Sequence, residues 1–132
     1  MQTDFIFING IFTSPGRKDG WTDLAVAHVK QNYPTCYAES FEYWTTATRL
    51  GQRERAMKFI GLVNRAKTRG HRVVLVGHSN GCALIADVVS LMGETVDSVH
   101  LVSPATRMSD FDAAIAEKTV EQIYIYGSKA DW

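Results

Sequence analysis

The sequence predicts an α/β domain of three layers, α/β/α, with a mostly parallel sheet of about five strands at its centre. Two observations carry that prediction. Short, nearly continuous apolar runs alternate along the chain with stretches patterned at helical spacing. Runs of that kind belong to strands buried on both faces, whereas one-sided strands alternate apolar and polar residues. A length of 132 residues suits a single domain, 1–132, with one core.

The elements follow in order. Asp4 to Ile8 is an apolar run with β-branched and aromatic residues, read as a buried strand that stops at the turn signal Asn9-Gly10. A helix is expected from about Gly20, with Trp21, Leu24, Ala25, His28 and Val29 at helical spacing, closed by Asn32-Tyr33-Pro34. Thr35 to Tyr43 suits an extended segment, although its alternation is imperfect. Thr46 to Arg69 reads as a long amphipathic helix with Ala56, Phe59, Ile60 and Val63 on its apolar face and Gly70 at C′. A strand Arg72 to Val76, a sharp turn, and a helix to about Met92 come next. Ser98 to Val102 is a strand stopped by Ser103-Pro104, and a short helix from about Ser109 to Glu117 carries Asp110 and Asp112 in its first turn. Glu121 to Tyr126 is the last strand. The crossovers of such a sheet are right-handed, and its sites lie at the carboxyl ends of the strands. The loops holding Gly10, Ser79 and Asp131 are therefore expected on one edge.

Composition narrows the function classes. Hydrophobic residues make up 45% and charged residues 21%, which are ordinary globular values. Lys+Arg and Asp+Glu are 14 each, so no global field favours nucleic acid or an anionic bilayer. Phe5-Ile6-Phe7-Ile8 is too short and lacks the basic flank of a secretory signal. No run approaches the roughly 20 apolar residues of a membrane span. Cys36 and Cys82 belong to no spaced pattern and read as free thiols of a cytoplasmic protein. No H-x-x-x-H, C-x-x-C or G-x-G-x-x-G occurs at a fitting place, so neither a metal nor a cofactor is expected. The cationic residues of the long helix, Arg49 to Arg69, spread around its apolar stripe and read as a solvated face.

The chain is organised around Val73 to Val89. An apolar run stops at Gly77, a helical pattern starts after Ser79, and the join reads Gly77-His78-Ser79-Asn80-Gly81, or G-x-S-x-G. A strand that turns this sharply into a helix needs small residues on either side of the apex. Such a nucleophile elbow presents a serine oxygen above the end of a sheet, at a helix N-terminus. A serine that merely caps a helix would share the residue type, but not the two glycines and the flanking elements.

With Phe7-Ile8-Asn9-Gly10-Ile11 and Tyr124-Ile125-Tyr126-Gly127-Ser128-Lys129-Ala130-Asp131, this stretch resembles the α/β-hydrolase family, as a small serine esterase or lipase-like member. The resemblance spans nearly the whole chain in element order, and the elbow is its specific part. It implies Ser79 as nucleophile, Asn80 and Ile11 as backbone donors of the oxyanion hole, and Asp131 as the acid that orients a histidine. Asp110 is the alternative acid. Gly10 and His78 would line the site, and Asn9-Gly10 stands where many members have His-Gly.

The family order is serine, acid, histidine, and only Trp132 follows Asp131. The implied core lacks the last strand, the histidine loop and the closing helix. His28, His71, His78 and His100 are each poorly placed to act as base. Three explanations stand: the natural chain continues beyond Trp132, a second subunit of a homo-oligomer supplies the histidine, or the base has been lost. The expected function is hydrolysis of a small-molecule carboxylic ester or related acyl bond through an acyl-enzyme on Ser79. The alternative is a non-catalytic binding or scaffold domain of the same fold.

Overall fold

The computed structural model describes residues 2–9, 21–41, 52–93 and 95–127. Five strands, β1 (Thr3–Ile8), β2 (Tyr37–Phe41), β3 (Arg72–His78), β4 (Val96–Val102) and β5 (Val120–Tyr126), form one sheet in the order β2-β1-β3-β4-β5. Every pairing is parallel. The helices among the described residues are α1 (Trp21–Asn32), α2 (Gln52–Thr68), α3 (Gly81–Leu91) and α4 (Asp112–Ala116), the last preceded by a 3-10 turn over Met108–Phe111.

Successive side chains of a strand point to opposite faces, and the sheet uses both. Ile6, Ile8, Val73, Leu75, Val99 and Leu101 pack with Phe59, Val63, Ile85, Val88, Val89 and Phe111 into the main core beneath α2, α3 and α4. Phe7 and Ala38 form a smaller core with Val29 of α1, joined by Phe5, Val76 and Trp21. This is the three-layer arrangement expected, and its near-continuous burial explains why the central strands read as apolar runs.

Several boundaries move. β3 continues through Gly77 and His78, because Gly77 still pairs with Ile8 and Leu101, and His78 with Val102. The reversal therefore begins at Ser79. The weak segment after Pro34 is a five-residue strand, β2, at the edge of the sheet and paired, among the described residues, with β1 alone. In α1 the buried face runs through Trp21, Thr22, Ala25, Val26 and Val29. Leu24 is two residues from both Thr22 and Val26, hence about 200° round the helix from each, and it is 65% exposed. The expected start of the long helix at Thr46 lies outside the described residues.

Two devices hold the amino end of the sheet. Buried Asp4 accepts a hydrogen bond from His71 Nδ1 at 3.0 Å, fastening β1 to the entry of β3. Gly70 ends α2 with φ +76, its N–H donating to Lys67 O while the His71 N–H reaches Ala66 O, so the C′ role read for it holds. Both features lie far from the edge where the loops after β1, β3 and β5 emerge.

Candidate active site

Only Ser79 and Asn80 separate the last residue of β3 from the first residue of α3. Reversing the chain in two residues places Ser79 at φ +53, a left-handed conformation that a non-glycine residue seldom adopts. Three backbone hydrogen bonds clamp it there. Its N–H donates to Val102 O at 3.0 Å, and its carbonyl accepts from Cys82 N and Ala105 N, each at 3.1 Å. Asn80 returns to helical angles, φ −68 and ψ −18, without a side-chain cap bond. The N–H groups of this first turn are the ones an α-helix leaves without intrahelical partners.

The two glycines have separate steric reasons. A Cβ on Gly77 would lie 2.7 Å from Ile85 Cδ1 and 3.3 Å from Cys82 N, so its absence lets α3 close onto β3. A Cβ on Gly81 would lie 2.5 Å from Asn9 O and 2.8 Å from Ile8 O. The start of α3 thus rests on the backbone end of β1. That contact brings Asn9 beside the turn, where its Nδ2 donates to Thr22 Oγ1 at 3.4 Å. Gly10, Ile11 and Asp131 lie outside the described residues.

His78 is exposed, and its ring stands edge-on to Trp21 with centroids 6.2 Å apart. Trp21 in turn meets Phe7 edge-on at 6.1 Å. Trp21 thereby belongs to the wall beside His78, a place that its helical spacing did not reveal because the same spacing marks ordinary core positions. Asp110 is exposed and accepts from Arg107 N at 3.1 Å and from Thr106 Oγ1, so its carboxylate closes its own turn.

Among the described residues no histidine is hydrogen-bonded to Ser79. His71 is bound to Asp4. His28 is exposed and paired with Asn32. His100 stacks on Tyr124 at 4.7 Å and lies 2.9 Å from Tyr126 Oη through Nδ1. Burial pushes its pKa below the usual 6.5.

Cys82 occupies the first turn of α3, the place where a thiol is often activated, yet burial pushes its pKa up to about 12. It is therefore a packing residue. In the native protein a thiol reagent is expected to modify partly exposed Cys36 alone, with Cys82 reacting only after denaturation. Counting modified thiols by mass spectrometry with and without denaturant checks this, and prompt native labelling of Cys82 contradicts it.

Among the described residues, no three His, Cys, Asp or Glu side chains are grouped to hold a metal ion, and no helix is long and apolar enough to cross a membrane. A family model described as serine hydrolase matches residues 18–124, which contain the whole β3–α3 turn. The chain belongs to the serine hydrolase family. This serine hydrolase is of the α/β-hydrolase type, with which its parallel sheet and the strand–turn–helix join at Ser79 agree.

Two of the solved structures that match the chain illustrate the shared fold. The protein Atu2452 of unknown function from Agrobacterium tumefaciens str. C58 is 11% identical, with a TM-score of 0.62 over 96% of this chain and 81% of that one. An acetyl xylan esterase, solved as an iodinated complex, is 14% identical, with a TM-score of 0.61 over 98% of this chain and 88% of that one. At these identities the likeness is one of fold. Among curated proteins none matches the chain.

Proposed function

We propose that this serine hydrolase cleaves a small-molecule carboxylic ester or related acyl bond through an acyl-enzyme on Ser79. The observation that carries the reading is the left-handed Ser79 between β3 and α3, flanked by two glycines for which any side chain would collide with the structure. A helix-capping serine needs neither feature.

In the proposed reaction Ser79 Oγ attacks the carbonyl carbon while its proton passes to a histidine base. The negative charge that develops on the carbonyl oxygen is met by the Asn80 N–H at the start of α3 and by the Ile11 N–H from the loop after β1. Collapse of the tetrahedral intermediate expels the alcohol, which takes the proton back from the histidine. Water then attacks the acyl-enzyme by the same route and restores Ser79. Asp131, in the loop after β5, would orient the histidine and stabilise the imidazolium. Among the described residues no histidine is hydrogen-bonded to Ser79, and His71, His28 and His100 are engaged with Asp4, Asn32 and Tyr126 instead. Two free thiols favour a cytoplasmic setting.

An active-site-directed fluorophosphonate tests the proposal on the full-length protein. Covalent labelling that peptide mapping assigns to Ser79 is the expected result. A folded protein that takes up no label is instead the non-catalytic binding domain.

A further inference from the structure

Left-handed backbone recurs at the carboxyl edge. Ser103, the first residue after β4, has φ +43. Lys118, a third non-glycine residue of this kind at φ +56, follows the end of α4, where helices commonly finish in this conformation. Ser103 follows a strand, so helix termination does not account for it, and such an outlier at a site asks for a reason.

The reason lies in what the bend connects. Val102 O receives the Ser79 N–H, Ser103 N donates to Tyr126 O at 2.7 Å, and Ala105 N then returns to Ser79 O at 3.1 Å. Within three residues of leaving Val102 the chain has come back to β3, with buried Pro104 between the two contacts. Both peptide groups of Ser79 are thus held by the segment that Ser103 bends. The same residue grips the last carbonyl of β5, from which the loop to Asp131 departs. Among the described residues the Ser103 hydroxyl has no hydrogen-bond partner, so the backbone conformation is what acts.

We infer that Ser103 is a positioning residue: its left-handed turn holds the strained backbone of Ser79 and sets the spacing between the nucleophile and the end of β5. This rests on the reading of Ser79 as nucleophile. It also assigns a role to a position that sequence showed only as the stop of a strand.

Ser103→Val, Ser103→Gly and Ser103→Asn in the full-length protein separate backbone from hydroxyl. Valine resists the left-handed region, whereas glycine and asparagine accept it. The valine variant is expected to lose about tenfold in kcat and in the fluorophosphonate labelling rate, the size of effect one strained residue can cause, with KM within about twofold. Glycine and asparagine should stay within about threefold of the parent. A folded valine variant with the parent's labelling rate overturns the inference, as does a glycine variant as impaired as valine. If valine prevents folding, Ser103→Thr, β-branched like valine but closer to serine, should show a smaller loss in the same direction, and a folded threonine variant equal to the parent overturns it. Labelling that persists in Ser79→Ala would instead refute the reading of Ser79, so the two failures are distinguishable.

Discussion

Ser79→Ala is expected to lower ester hydrolysis by at least three orders of magnitude, and by up to roughly 10⁶, with the fold unchanged. The hydroxyl is the only group removed. The hydrogen bonds around it, from Ser79 N to Val102 O and to Ser79 O from Cys82 and Ala105, are made by backbone and survive the substitution. Ser79→Gly should abolish activity equally while raising stability. At φ +53 a side chain costs about 1–2 kcal/mol, and glycine gives back about 0.5–1 kcal/mol of this through the greater freedom of the unfolded chain. The net gain of about 0.5–1 kcal/mol should appear as a rise of a few degrees in Tm. Thermal melts of the parent and both variants, alongside hydrolysis of a p-nitrophenyl ester, check the pair. A glycine variant that melts lower than the parent would show that Ser79 stores no strain, removing the main structural support for its role.

Much of the fold was legible in the chain because the sheet is buried on both sides. Where a strand has helices above and below, its apolar run needs no alternation, and Asp4–Ile8 and Arg72–Val76 announced themselves that way. β2 was the hardest element to read for the opposite reason. It is a five-residue edge strand with one buried residue, Ala38, so neither run nor alternation develops in Tyr37–Phe41. Leu24 misled because one apolar residue at helical spacing looks like core until the neighbouring face is known. Its two-residue distance from Thr22 and Val26 points it outward.

The site was legible where local backbone dictates residue type. G-x-S-x-G showed itself because each glycine answers a collision of its own, with Ile85 at one side and with the end of β1 at the other. Ser103 left no such mark: a serine carries a left-handed angle without being required there, and its partners are backbone atoms of Ser79 and Tyr126, distant in sequence. Trp21 was likewise hidden, since its contact with His78 joins α1 to β3 across a span that no local pattern encodes. The positions expected for Gly10, Ile11 and Asp131 fall outside the described residues. Their roles rest on the family resemblance and on the parallel sheet, which brings the loops after β1 and β5 to the edge that bears Ser79.

Gly81→Ala is expected to be the most damaging of the alanine substitutions at Gly61, Gly77 and Gly81. The added carbon would sit 2.5 Å from Asn9 O and 2.8 Å from Ile8 O. Both are backbone atoms at the end of a central strand, so neither can swing aside as a side-chain tip could. Relief requires α3 and β1 to part, at a cost at the upper end of the roughly 1–3 kcal/mol typical of overpacking. Gly77→Ala makes the useful comparison. Its closest contact, 2.7 Å, is the flexible Cδ1 of Ile85, and its backbone contacts begin at 3.3 Å, so the loss should be smaller. Gly61, inside α2 with nothing within 4 Å of its absent Cβ, should reverse the sign: Gly61→Ala removes a helix-interior glycine and gains about 0.5–1 kcal/mol. Denaturant melts of the three variants give the order, and a Gly81→Ala protein as stable as Gly61→Ala would refute the close approach of α3 to β1. Activity should fall further than stability in Gly81→Ala. Parting these elements would displace the Asn80 N–H from the end of β1, and the proposed oxyanion hole, with two donors, is sensitive to the distance between them.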